Sequence, residues 1–264
     1  MAAAVDKAVR LDFLDKKGRI LVQAGVGRFE FRSDSIMDEA PNTMIIKAHG
    51  MTESDMQIAA TKAERVLMYA GVGEVGLIAA GEIASARIIG TKTGFVLVVV
   101  GVDGDSLMTA RVSRPIAAGI SLSEMAMECI SNSGVAADVG FISPKLDMIR
   151  NPRGTAVNGL LMDVLRDLAR AIDAAVFIRQ GLVYIVCCEE LIGDPAVISE
   201  EGLLSEPSLE GDVLHVVYEI DSKVAVGGIA EFRGGIYRVL RVAANGDTSE
   251  NMWSMAIEMT RLGV

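Results

Sequence analysis

The sequence predicts a mainly β protein with an α+β insertion, on three observations. Short runs of alternating or β-branched residues, bounded by glycine turns, fill both ends of the chain. Capped runs with helical spacing are concentrated in the middle. No period of 20 to 50 residues suggests a solenoid. The chain is 264 residues long and 51% hydrophobic with 23% charged residues, a globular balance rather than a disordered one. Aromatics are only 5%, so small apolar side chains and 14 Met must fill the core.

The first region, residues 1–118, reads as strands at Arg10 to Leu14, Gly18 to Val22, Arg28 to Arg32, Thr43 to Ala48, Arg65 to Ala70, Gly76 to Ile89 and Phe95 to Val102. Arg28 to Arg32 alternates polar and apolar, as a half-buried strand does. Thr91-Lys92-Thr93-Gly94 is a turn, so residues 76–102 form one long hairpin. Thr52 to Thr61 is a short helix with Thr52 or Ser54 as N-cap. In the second region, residues 119–195, Ser121 and Glu124 make a capping box for a helix to about Ser131. Residues 140–156, with Pro144, Asn151-Pro152 and Gly154, read as a loop. Gly159 to Asp173 is the clearest helix, with Leu160, Leu161, Val164, Leu165, Leu168 and Ile172 on one face. Ala175 to Arg179 and Leu182 to Cys187 form a hairpin around Gln180-Gly181, on which that helix should pack. The third region, residues 196–264, returns to strands at Gly202 to Pro207, Val213 to Ile220, Ile229 to Arg233, Gly235 to Ala243 and Asn251 to Met259. Gly234-Gly235 and Asn245-Gly246-Asp247 are its turns.

Gly71, Gly73 and Gly76 stand at the G-x-G-x-x-G spacing of a dinucleotide site. The context denies it: Leu77 to Ile89 carries no capped helical stripe, and no acidic residue lies about 20 positions after Gly71. Glycines in such a segment mark bulges and bends. Other chemistry is missing too. His49 and His215 stand alone, Cys129, Cys187 and Cys188 have no zinc spacing and read as reduced, buried thiols, and Asp103-Gly104-Asp105 reads as a turn rather than a calcium loop. Asp163, Asp167 and Asp173 belong to a solvated helix face, and Glu200-Glu201 to a polar connector. No nucleophile, base and orienter assemble, so no enzyme, metal or cofactor is expected. The start of the chain has no signal-peptide core, and Phe95 to Val100 is too short to span a bilayer, so stable membrane insertion is not expected. A net charge of -10 disfavours tight binding to nucleic-acid phosphates.

The order of several short pieces resembles the central baseplate hub proteins of contractile-tailed bacteriophages, a late control protein D-like family. These pieces are Asn42 to Ala48, Arg65 to Gly73, Gly81-Glu82-Ile83, Asp103-Gly104-Asp105 with Ala110 to Ser113, and Ala118 to Ser121. Gly181 to Ile185, Gly202 to Pro207, and Tyr237 to Val242 with Gly246-Asp247-Thr248 and Trp253 complete the series. The Gly-Asp-Thr…Trp ending is the most specific. Ala79 replaces the usual aromatic, Ala243 or Ala244 the usual His, and residues 208–230 lack the usual proline-rich run.

The resemblance implies two tail-tube-like β-barrel units flanking a small α/β unit, with three chains forming a pseudo-sixfold ring. Such a ring joins the tail tube to the central spike and surrounds a channel for the tape-measure protein and DNA. Implied partners are a homotrimer, tail tube protein, central spike protein, tape-measure protein and baseplate wedge proteins, with DNA only in transit. The location implied is the virion tail, after synthesis in a host cytoplasm. The expected ring-wall residues are Gly76, Gly81, Ile83, Phe95 and Val99, and acidic side chains are expected in the channel. The alternatives are a tail-tube or distal tail protein, the spike base of another contractile injection system, a soluble binding module, and a nucleotide-binding enzyme.

Overall fold

A computed structural model describes residues 7–38, 40–73, 75–92, 94–135 and 137–263. The first region holds β1 (Lys7–Leu14), β2 (Ile20–Ala24), β3 (Phe29–Ile36), β4 (Asn42–His49), α1 (Glu53–Thr61), β5 (Arg65–Val72), β6 (Gly76–Thr91) and β7 (Gly94–Asp103). The middle holds α2 (Asp105–Thr109), β8 (Arg111–Ile116), α3 (Leu122–Ser131), β9 (Asp138–Ile142), β10 (Thr155–Leu160), α4 (Leu161–Ala169), β11 (Ala174–Arg179) and β12 (Leu182–Cys187). The last holds β13 (Ala196–Val197), β14 (Ser208–Glu210), β15 (Val213–Tyr218), β16 (Ile229–Phe232), β17 (Gly235–Asp247) and β18 (Trp253–Arg261). No helix among the described residues is long and apolar enough to cross a membrane.

The two end regions share one 13-stranded sheet, whose path runs β14-β15-β18-β17-β3-β4-β7-β6-β5-β1-β2. Every step on that path is antiparallel. Strand β4 shows why these sequences make sheet: Asn42, Met44, Ile46 and Ala48 are buried, whereas Thr43, Ile45 and Lys47 are exposed. Gly81 and Gly101 leave room for Met44, which fills the space a Cβ would need. One hydrophobic core spans both end regions. A second, from Leu107 to Ile185, unites α2, β8, α3, α4 and the β11–β12 hairpin.

The predicted hairpins and caps form. Thr52 accepts from the Asp55 amide, and Ser121 and Glu124 close a capping box. Gln180 and Gly181 take positive φ, +57° and +80°, as a two-residue type I′ turn requires. Thr91 pairs with Gly94 across the long hairpin; Thr93 lies outside the described residues, as does Met1–Asp6 of the N-terminal segment. Helix α4 buries Leu161, Met162, Leu165, Leu168 and Ala169, packs on β11 and leaves Asp163 and Asp167 in solvent-facing pairs with Arg166 and Arg170.

Several expectations need correction. The helix begins at Leu161, because residues 155–160 pair with β8 as β10, and tertiary pairing overrides the helical spacing. Residues 140–156 also contribute β9, which lies parallel to β12. Asp103-Gly104-Asp105 opens α2, with Gly104 in the left-handed region at φ +74°. Gly202 to Pro207 is not a strand: Glu200–Gly202 is a 3-10 turn, and only Leu203 bridges to Tyr218. Asn245-Gly246-Asp247 lies inside β17, paired with β3 on one side and, through Asn245 and Gly246, with β18 on the other. The tail turn is Arg233-Gly234, since Gly235 already pairs with Phe232. Cys188 is exposed, while Cys129 and Cys187 are buried.

Candidate assembly site

The two end regions meet where β3 pairs with β17, from Glu30 opposite Asp247 to Ile36 opposite Arg241. This seam is built from the Gly-Asp-Thr…Trp ending. A Cβ on Gly246 would lie 2.4 Å from the Phe31 ring and 3.0 Å from Trp253. The two rings meet edge to face with centroids 5.6 Å apart. Asp247 is 2% exposed and takes both forks of Arg28, at 3.2 and 2.6 Å, plus the Ser249 amide at 2.9 Å. Burial pushes its carboxyl upward, but the Arg28 pair and the Ser249 donors hold it down at about 2. Thr248 exchanges two bonds with Phe29, both 3.0 Å. At the other end Arg241 forks onto Asp34 at 2.9 and 2.6 Å and reaches Glu258 at 3.3 Å.

The tip of the β11–β12 hairpin enters the junction of both end regions. Asp103 accepts from the Gln180 and Gly181 amides, each 2.6 Å away. Its carboxyl is pushed up by burial, against the pull of those amides, Asn42 and Arg65. Asn42 donates to the Ile178 carbonyl at 2.8 Å and accepts from the Ile36 amide at 2.8 Å. On the opposite side Arg179 donates to the Val226 carbonyl at 2.9 Å and to the Tyr184 hydroxyl at 2.8 Å. Arg238, 2% exposed, donates to the carbonyls of Gly227, Cys188 and Glu190, and burial lowers its pKa. A cavity of about 30 Å³ remains among Ser33, Asn42, Asp103, Gln180 and Val224, room for about one water and no cofactor.

The structure puts the five expected wall residues in different settings. Gly76 is half-buried, and a Cβ there would lie 1.9 Å from Ser222, so the two end regions touch at that point too. Gly81 is buried over Met44, and Ile83 is half-buried beside the core. Val99 is fully buried in the chain's own core. Phe95, 51% exposed, is the one large side chain of the five that faces outward from the hairpin tip. Strand β5 pairs with β6 only from Gly76 to Glu82, and a bulge follows between Ile83 and Ser85. Beyond it, residues 84–91 have β7 on one side and no described strand on the other.

The solvent-facing side of the sheet is mixed in charge. Glu30 sits between Lys47, at 2.8 Å, and His49, at 3.0 Å; Asp34, Arg241 and Glu258 form a chain. The net negative charge lies in the second and third regions. Residues 1–118 carry 14 basic and 14 acidic side chains, residues 119–195 carry 6 and 10, and residues 196–264 carry 5 and 11. Gly71, Gly73 and Gly76 belong to the β5–β6 hairpin, Gly73 at φ +74°, and no helix follows. No cluster of three metal-ligating side chains occurs among the described residues. Glu200 of the acidic pair forks onto Arg233, and His215 lies 3.8 Å from Glu210. Sequence reasoning missed the Asp103 and Arg238 contacts, whose partners are distant in the chain.

The sequence matches no protein-family model and no curated protein. Solved structures do match. A 43 kDa tail protein of prophage MuSo2 from Shewanella oneidensis superposes with a TM-score of 0.63 at 9% identity, covering 97% of this chain and 98% of that one. The chain has a phage tail protein fold. A tail protein from Neisseria meningitidis gives 0.59 at 8% identity, with 97% and 96% covered. A component of the type VI secretion system of E. coli, itself similar to bacteriophage T4 tail proteins, gives 0.58 at 8% identity, with 90% and 74% covered.

Proposed function

We propose that this chain is a structural baseplate hub of a phage tail, a trimeric pseudo-sixfold ring between tail tube and central spike. The residues up to Asp103 and residues 196–264 are its two tube-like units, and the stretch between them, from α2 and β8 onward, is the α+β unit. The observation that carries this reading is the β3–β17 seam: one chain joins two β units edge to edge in a single sheet. Three chains then supply six units. The face bearing Phe29, Phe31, Met44, Ile46 and Leu97 is spent on the core, so the polar face of Arg32, Asp34 and Lys47 is left for the channel. Its charges are balanced rather than acidic. Such a surface offers no basic cluster to hold DNA or the tape-measure protein in transit. The partners are tail tube, spike and wedge proteins, the location is the virion tail, and the role is not enzymatic.

The likeness to the type VI component supports a second reading, the spike base of another contractile injection system. Light scattering on a sizing column over a range of concentrations tests the ring: three 28.0 kDa chains are expected. A monomer at every concentration overturns it. Pull-down against a tube protein and a spike protein separates hub from spike base, since a hub binds both.

A further inference from the structure

The eight strands from β14 to β6 form an antiparallel run with two unpaired edges, β14 at one end and residues 84–91 of β6 at the other. Because the number is even and every neighbour is antiparallel, β6 of one copy and β14 of a copy rotated beside it run in opposite directions. We propose that these edges pair between copies, with Arg87 opposite Glu210, Ile88 opposite Leu209 and Ile89 opposite Ser208. The proposal rests on the reading of the chain as a ring-forming tail protein and names the surfaces that close it.

The side chains match across that register. Following the ladder from Arg87 through Val98, Lys47, Glu30 and Asp247 to β18 and β15 puts Arg87 and Glu210 on the same polar face. Arg87 is exposed and has no acidic partner among the described residues, and Lys92 stands nearby at the hairpin end. Glu210, with its side chain 79% exposed, is flanked by Glu206 and Asp212. On the other face Leu209, 68% exposed, meets Ile88, which packs half-buried on the core. Both edges are also guarded as natural edges are: β14 is three residues long, and each edge carries like charges that deter self-pairing. Opposite charge on the two edges selects the head-to-tail contact, the kind that builds a ring when its rotation closes.

The test uses the full chain. Arg87→Glu and Glu210→Arg should each weaken self-association about tenfold or more in sedimentation equilibrium, and the double exchange should restore it. Both positions are exposed, so the fold is kept. In a Cys188→Ser background, the substitutions Ile89→Cys and Ser208→Cys should give oxidised covalent dimers and trimers that reductant dissolves. A trimeric wild type that both charge reversals leave intact, with no cross-link, overturns the pairing while the ring stands. A monomeric wild type overturns both.

Discussion

The seam joins the two end regions and the hairpin clamp joins the insertion to them, by opposite means. The seam is a ladder of seven residue pairs with ion pairs at both ends, so its strength is spread over many groups. The clamp is a point contact in which one buried carboxylate holds two amides, with Arg238 and Arg179 on the far side. The difference teaches that the seam tolerates loss of any one exposed charge, whereas the clamp depends on single atoms. It also teaches where failure spreads: seam damage separates the β units, and clamp damage frees the insertion alone.

Substitutions can break this contrast in graded order. Gly246→Val, which drives a side chain into Phe31 and Trp253, should cost about 3 kcal/mol in chemical denaturation and break the seam outright. Asp103→Ala orphans the Gln180 and Gly181 amides; a loss of about 2 kcal/mol is expected, with faster hydrogen exchange confined to residues 174–187. Exchange that speeds equally in β3 and β17 would show that the two contacts are not separable. Asp247→Ala should cost about 1 to 2 kcal/mol, because Arg28 keeps solvent as an alternative partner. Arg241→Ala, at an exposed end of the seam, should cost less than about 1 kcal/mol.

Acid titration sharpens the same comparison through opposite signs. The folded carboxyl of Asp247 is held at about 2, below its ordinary 3.8, so its contribution is present above 3.8 and lost as pH falls toward 2. The folded carboxyl of Asp103 is raised, so its contribution is full below 3.8 and is lost as pH rises through the folded value. Asp247→Asn should therefore flatten the acid limb of a stability profile. Asp103→Asn should remove a decline on the less acidic side. Urea midpoints measured across that range check both.

Much of the fold was legible because strand alternation, I′ turns and caps are local. Residues 28–32 alternate polar and apolar, with Phe29 and Phe31 buried as that alternation predicts, and Ser121 with Glu124 announces its helix. The seam was half legible: Gly246, Asp247 and Trp253 stood out as a motif, yet the segment read as a turn, because a glycine kept for ring packing looks like a glycine kept for bending. The clamp was illegible. Asp103 and Gln180 are 77 residues apart, and an aspartate beside a glycine reads as turn chemistry until its partners are known. The expected wall residues shared a hairpin but not a setting, since the bulge after Ile83 and the strand alternation divide that hairpin into core and free edge. The edge at β14 was hidden because only pairing topology shows which strand comes last.

The seam also fixes an order of events during synthesis. Arg241 and Asp34 are 207 residues apart, so β3 has no partner on that side until the much later β17 has left the ribosome. Through that interval the nascent first unit presents an open sheet edge of the kind that drives misassembly. Chains truncated before β17 keep the edge permanently and should accumulate as aggregates, whereas a chain that includes β17 covers it with that strand. Strand β17 thus acts as the cover of that edge: a copy is protected from wrong partners there only once β17 has been made.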